Sequence, residues 1–439
     1  MRFFLLTFLA FFLVAGYVQN MIDSAPPNST VYIPSGHYRE RLVINKPLTI
    51  IGIGMPVIDG AGVGDVVVIN NTRVTIIGVA VWNSGTLPED AGIKVYNSDV
   101  ALVNVVVNMS YNGIYLIRSR AYLSNITVIG LGLVRATNET FQRLMHEGGY
   151  HVTGFEDRGH AVYVFNSSAV VEKSRLLYSK DGVYLEHSTD VTIKGNTVMY
   201  GRYGVHSMYS RRVRVIGNTF MHNLVGVLLM YSQNLDVENN FIAKNRGVYV
   251  SEGITLIECD NVDIRGNKIF YHIYGLNVRY TPWRGDTYFV VYNNTIGFNY
   301  YGAVFDIYSG GNFTGNIFLD NMVQLAASGG ARRVKARFYG NFWSDYVGDG
   351  NQPYVYASPL SDVSDVYLSI RFYAFGPSYA VMRYMGVSLP TYAKVTFVDE
   401  SPRRAQPLRE SAVGISPIWL VAAVLLAAPY VAMSVWTRR

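Results

Sequence analysis

A repeat of fixed period between Gly182 and Cys259 limits what this chain can fold into. The sequence reads DGVYLEHSTDVTIKGNTVMY, YGVHSMYSRRVRVIGNTFMH and VGVLLMYSQNLDVENNFIAK, then, after a short interruption, EGITLIECDNVDIRGNKIF. Gly182 to Gly204, Gly204 to Gly226 and Gly253 to Gly275 each span 22 residues. Each unit places a small residue six positions after its Gly: Ser188, Ser210, Ser232 and Cys259. A period of this length, with short strand patterns and no helical periodicity, marks a solenoid. The expected fold is all-β: a right-handed single-stranded parallel β-helix with coils of about 22 residues.

A single coil cannot bury its own apolar face, whereas stacked coils share one continuous core. Neighbouring coils lie about 4.8 Å apart, so equivalent residues form columns along the axis. Strand residues alternate in and out, which sends Val183, Leu185, Val227, Leu229, Ile254 and Leu256 inward. The small sixth position turns into a corner as a Ser/Cys ladder, with Cys259 buried and inert. Gly195-Asn196, Gly217-Asn218 and Gly266-Asn267 suit tight bends, because both residue types accept left-handed backbone angles. Their stacked Asn side chains can also bond to one another.

The repeats assign residues 28–340 to the β-helix, opening with TVYIPSGHY and a first full coil at KPLTIIGIGMPVIDG. Residues 131–158 break the period and contain the one short helical pattern, TFQRLMHEGG, so they read as a side excursion. YTPWRGDTYF is a smaller one. Residues 341–400 begin NFWSDYVGDGNQPY and are expected to cap the open core, as solenoids require. Residues 401–414, rich in Pro and Arg, form a linker.

At the start, Arg2 precedes an apolar run from Phe3 to Val14 and the small residues Ala15 and Gly16, which predicts an export signal over 1–16. Residues 415–436 carry no charge and precede Arg438 and Arg439, the pattern of a transmembrane helix with a basic stop. The expected product is an exported solenoid anchored on the outer side of the cytoplasmic membrane. Cys259 is the only cysteine, so no intrachain disulfide can form. The net charge of +6 comes from scattered Lys and Arg rather than runs, so no nucleic-acid partner is expected.

Carbohydrate-cleaving β-helices need convergent carboxylates, about 5–9.5 Å apart for hydrolysis. Asp181, Glu186, Asp190, Asp236, Glu238, Glu258 and Asp306 are expected in different columns with no Asp-Asp pair. Gly159-His160 also lacks the second Gly of the polygalacturonase Gly-His-Gly element, so no enzyme activity is expected. The outward positions read differently. Tyr163, Tyr184, His206 and Leu228 share one column, Phe165, Glu186, Met208 and Met230 a second, and His187, Tyr209 and Tyr231 a third. Thioether and imidazole together suit a cuprous ion, which gives His206, Met208, Met230, Glu186 and His187 as candidate metal ligands. The aromatics Tyr163, Phe165, Tyr184, Tyr209 and Tyr231 are candidate partner contacts. Three other readings compete: a second small core under the 131–158 excursion, a carbohydrate-binding or carbohydrate-cleaving face with aromatics on sugar rings, and an adhesion solenoid with no small ligand.

RGHAVYVFNS, DGVYLEHS, YGVHSMYS followed by VGVLLMYS, and GNFWSDY with Pro353-Tyr354 resemble the NosD family across nearly the whole exported part. FVDESPRRAQPL resembles that family's terminal Val-Asp-Ser-x-Pro-Leu element with an Arg-containing insertion. The resemblance implies a non-enzymatic, exported β-helix protein that handles copper. It also implies the partners: an ABC-type ATPase and permease pair, a small copper chaperone, and nitrous oxide reductase, whose multicopper centre receives the metal. The chain departs from the family in shortening the acidic loop after the Trp motif to VGDGNQPY.

Overall fold

The computed structural model describes residues 16–131, 158–245, 250–328, 334–357 and 396–403. Over these residues the chain winds as a right-handed parallel β-solenoid of about 13 turns. Successive strands go in rotation to three sheets of 15, 13 and 12 strands. Sheet A starts with Thr30–Ile33, sheet B with His37–Tyr38 and sheet C with Leu42–Ile44. TVYIPSGHY is therefore two strands rather than one, because the chain turns its first corner at Pro34-Ser35-Gly36.

The inward columns form the core as expected. Val183, Leu185, Val227, Leu229, Ile254 and Leu256 have no exposed surface. At the corner after sheet C, each small residue accepts a backbone N–H from the turn before it. Ser188 N–H donates to Ser210 Oγ at 3.1 Å, Ser210 N–H to Ser232 Oγ at 3.1 Å, and Cys259 N–H to Thr281 Oγ1 at 3.2 Å. These bonds satisfy donors that a sharp corner takes out of the sheet ladder. Cys259 is buried in this ladder, and burial pushes its thiol up to about 12.

The next corner is an asparagine ladder. Gly195, Gly217 and Gly266 take left-handed φ of 64°, 61° and 65°, which frees the following Asn to turn inward. Asn196 Nδ2 donates to Asn218 Oδ1 at 3.0 Å, Asn218 to Asn240 at 3.0 Å and Asn240 to Asn267 at 2.9 Å, and the chain of bonds runs on to Asn341. A second ladder at the third corner, unforeseen in the sequence, joins Asn223, Asn245, His272, Asn299 and Asn321. His272 thus takes an amide's place in a structural stack.

Both ends of the core are covered. The helix Tyr17–Ser24, absent from the sequence-based expectation, buries Val18 and Ile22 against the first turn. Glu40 accepts the Val18 and Gln19 N–H groups at 3.0 Å each, and Lys46 donates to the carbonyls of Asp23 and Ala25. A carboxylate at the helix start and an ammonium at its end both complement the helix dipole. At the far end Trp343 stacks between Phe318 and Tyr354 at 4.3 and 4.5 Å. The antiparallel pair Tyr354–Ala357 and Thr396–Asp399 joins sheet A there.

The excursion over 132–157, the signal through residue 15, segment 358–395 of the cap, and everything after 403, including 415–436, lie outside the described residues. Among the described residues no helix is long and apolar enough to cross a membrane. The turns flanking 132–157 pair directly, strand Asn112–Ile117 against Val162–Phe165, so the stack is continuous there.

Asp399 links two motifs that are distant in sequence. Its fully buried carboxylate accepts bonds from Gly340 N–H, Asn341 N–H, Asn341 Nδ2 and Trp343 Nε1, so it terminates the Asn ladder and holds the Trp. Asp399→Ala strands several buried donors and is expected to cost about 3 kcal/mol. Chemical denaturation monitored by Trp fluorescence checks this, together with faster hydrogen exchange at the Trp343 indole.

Candidate metal centre

Parallel pairing in register sets the outer face of sheet C. Strands Val162–Phe165, Asp181–Glu186, Tyr203–Met208 and Val225–Met230 align Tyr163, Tyr184, His206 and Leu228 in one column and Phe165, Glu186, Met208 and Met230 in the next. The two expected columns are therefore real neighbours. His187, Tyr209 and Tyr231 lie elsewhere: they occupy the corner with left-handed φ of 50°, 51° and 52°, and stack ring on ring at 5.2 and 4.9 Å. His187 is thus an exposed corner residue beside the flat face, and Tyr209 is 48% exposed.

On the flat face the rings of Tyr115, Tyr163, Tyr184 and His206 follow one another at 4.3, 4.9 and 4.8 Å. His206 is only 7% exposed, and Tyr203 meets its ring edge-on at 5.0 Å. Its Nε2 is buried with no hydrogen-bond partner, while its Nδ1 lies 3.3 Å from Asp181 Oδ2. Met208 and Met230, opposite each other in register, are half-buried, and the Tyr184 hydroxyl lies 3.5 Å from the Met208 Sδ. Glu186 is engaged by phenols, accepting from Tyr163 at 2.6 Å and Tyr184 at 3.3 Å.

Beneath this row lies a charged cluster that the column argument missed. Asp181, with no exposed surface, accepts a bidentate pair of bonds from Arg202 at 2.9 and 2.8 Å, and His160 Nδ1 lies 3.2 Å away. Burial alone would raise the Asp181 carboxyl. The imidazoles of His160 and His206 and the Arg202 guanidinium outweigh it and hold the group well below the usual carboxylate range. Burial also lowers His160, despite its contact with Asp181. Burial and Glu186 push the phenols of Tyr163 and Tyr184 upward, so both are held as hydrogen-bond donors. The signal for Asp181 and Arg202 was present: each sits just before the repeat's first outward column, one coil apart.

One sequence expectation is corrected. Asp236 and Asp263 do form an aligned pair in adjacent turns of sheet A, because the interruption before Glu252 shifts the numbering and not the register. Burial, Glu238 and Asp263 raise Asp236, while Arg214 and Arg265 oppose this. The pair is tied into ion pairs and a phenol bond: Asp236 with Arg214 at 3.6 Å, and Asp263 with the Tyr288 hydroxyl at 3.0 Å. Among the described residues no three His, Cys, Asp or Glu side chains are grouped to hold a metal ion.

A family model covers the strands from Val162 to Met230 on this face. Residues 137–348 match the family described as NosD, periplasmic copper-binding protein. Over this stretch the chain is similar to that family. No curated protein matches the chain. Solved structures with similar coils include the Dettilon tailspike protein, at 14% identity over 69% of this chain and 62% of that one, with a TM-score of 0.43. An α-1,3-glucanase catalytic domain matches at 13% identity over 68% of this chain and 62% of that one, with a TM-score of 0.45. The family 28 exopolygalacturonase of Yersinia enterocolitica matches at 9% identity over 71% and 72%, with a TM-score of 0.44. The chain thus spans less than two thirds of the tailspike and of the glucanase domain, and no activity is carried over from any of the three.

Asp181 neutralises the half-buried Arg202, so Asp181→Ala is expected to cost about 3 kcal/mol. Asp190→Ala, which breaks the exposed pair with Arg212, should change stability by less than about 1 kcal/mol. Because the folded Asp181 carboxyl lies below its unfolded value, its contribution is full well above about pH 4, declines as pH falls below that, and is lost once pH passes the folded value. Denaturation curves at pH 7 check the magnitude, and curves from pH 7 to pH 3 check where the decline begins.

Proposed function

We propose that this protein is an exported, membrane-tethered accessory that handles copper and works with an ABC-type ATPase and permease and a copper chaperone to mature the copper centre of nitrous oxide reductase. The observation that carries this reading is the buried, unpartnered His206 Nε2 on the same strand face as the Met208 and Met230 thioethers, within the stretch similar to the NosD family. Cu(I) is the cargo, and a soft thioether and imidazole set suits it better than zinc or calcium. His206, Met208 and Met230 would hold the ion. Glu186 would act through the Tyr184 hydroxyl, which touches both the carboxylate and the Met208 sulfur. His187, at the corner, stands beside this set with Tyr209 and Tyr231. Those rings and the flat-face aromatics Tyr163, Phe165 and Tyr184 would meet the chaperone or client.

A carbohydrate-binding face is supported less well. The corner rings stack on one another at about 5 Å, so both faces of Tyr209 are already covered and closed to a sugar ring. The phenols of Tyr163 and Tyr184 are pushed up, away from a role as general bases, and Asp181 is locked in an ion pair. These features support a non-enzymatic role.

Cuprous-ion titration of the protein under reducing conditions tests the proposal. Saturable binding by the wild type, lost in both His206→Ala and Met208→Ala, is expected. Absence of binding by the wild type, or polysaccharide binding with no copper response, would overturn it.

A further inference from the structure

The buried cluster under the aromatic row fixes more than stability. Arg202 engages both oxygens of Asp181 as a carboxylate, which can only accept hydrogen bonds, so the proton between Asp181 and His206 belongs to the imidazole Nδ1. Arg202 holds that carboxylate in one orientation through a planar, two-bond fork at 2.9 and 2.8 Å, and the Arg202 guanidinium is itself seated over the Tyr203 ring at 4.3 Å. The His206 ring is in turn clamped between Tyr184 at 4.8 Å and the edge of Tyr203 at 5.0 Å. A proton on Nε2 in place of Nδ1 would leave a buried N–H without an acceptor.

We infer that Asp181, oriented by Arg202, is a positioning residue that holds His206 as the Nδ1–H tautomer and leaves a bare Nε2 lone pair on the outer face of sheet C. Hydrogen bonding of one imidazole nitrogen to a carboxylate sets which nitrogen can donate to a metal and strengthens that donor. The consequence for Cu(I) rests on the copper reading above; the tautomer does not. Replacing Asp181 by Asn keeps shape but changes the bonding logic. The Asn carbonyl would keep the Arg202 Nε bond, and its amide, in the place of the oxygen shared by Arg202 Nη2 and His206, would donate to His206 Nδ1 and force the imidazole proton to Nε2 at the cost of the Nη2 bond.

The test is nitrogen-15 NMR of the metal-free full chain labelled at its 8 histidines, with the His206 signals assigned by their loss in His206→Ala. The wild type is expected to show His206 as the Nδ1–H tautomer, and Asp181→Asn to move the proton to Nε2. Cuprous affinity of Asp181→Asn is expected to fall about 10- to 100-fold. A wild-type His206 carrying its proton on Nε2 overturns the inference without any variant. So does an Asp181→Asn protein that folds with the tautomer unchanged. A Nδ1–H tautomer that switches in the variant, in a protein that never binds Cu(I), supports the positioning role and overturns the copper reading alone.

Discussion

Parallel pairing of each turn with the next is the constraint on which this structure depends. From Val162 to Ile257 the register turns residues that are 21 to 27 apart in sequence into direct neighbours, and it does so for core, corners and surface at once. The same stacking that gives a dry Val/Leu/Ile interior also gives the Ser ladder, two amide ladders and the ring-on-ring rows outside. Because strand ladders leave corner donors unsatisfied, the corners need hydrogen-bonding side chains at fixed places. That need explains why His272 and Cys259 are structural: one replaces an amide, the other a hydroxyl.

Stacking also explains how a charged cluster survives at the sheet C surface. Asp181, Arg202, His160 and His206 come from successive turns, and the register delivers them to one carboxylate. A buried ion pair of this sort is weak evidence for stability, since well-packed apolar residues can serve as well. Its placement directly under the His206 ring gives it a role beyond packing. Thioethers lie one column over, on the same face.

Much of this was legible in the chain. The 22-residue spacing of Gly182, Gly204 and Gly226 implies coils, alternation implies which residues face inward, and Gly-Asn pairs imply left-handed corners. The columns of Tyr184, His206, Met208 and Met230 followed from the same arithmetic. The helix Tyr17–Ser24 was not legible, because a single short amphipathic turn has no repeat to mark it and draws its stability from Glu40, Lys46 and the first coil. Nor was the meeting of Trp343 with Asp399, which lie 56 residues apart outside the repeat.

The sequence by itself determined the architecture, the inward and outward partition, and the presence of imidazole and thioether on one outer face, because a period of two within a period of 22 leaves little freedom. Only the tertiary structure decided which nitrogen of His206 meets a carboxylate, which nitrogen is left alone, and that His187 sits at a corner rather than on the face. It also decided that Asp236 and Asp263 align, since register depends on how many residues an interruption loops out. The physical reason is common to all three: columns follow from counting, whereas side-chain direction, burial and charge pairing depend on the local bends where counting stops.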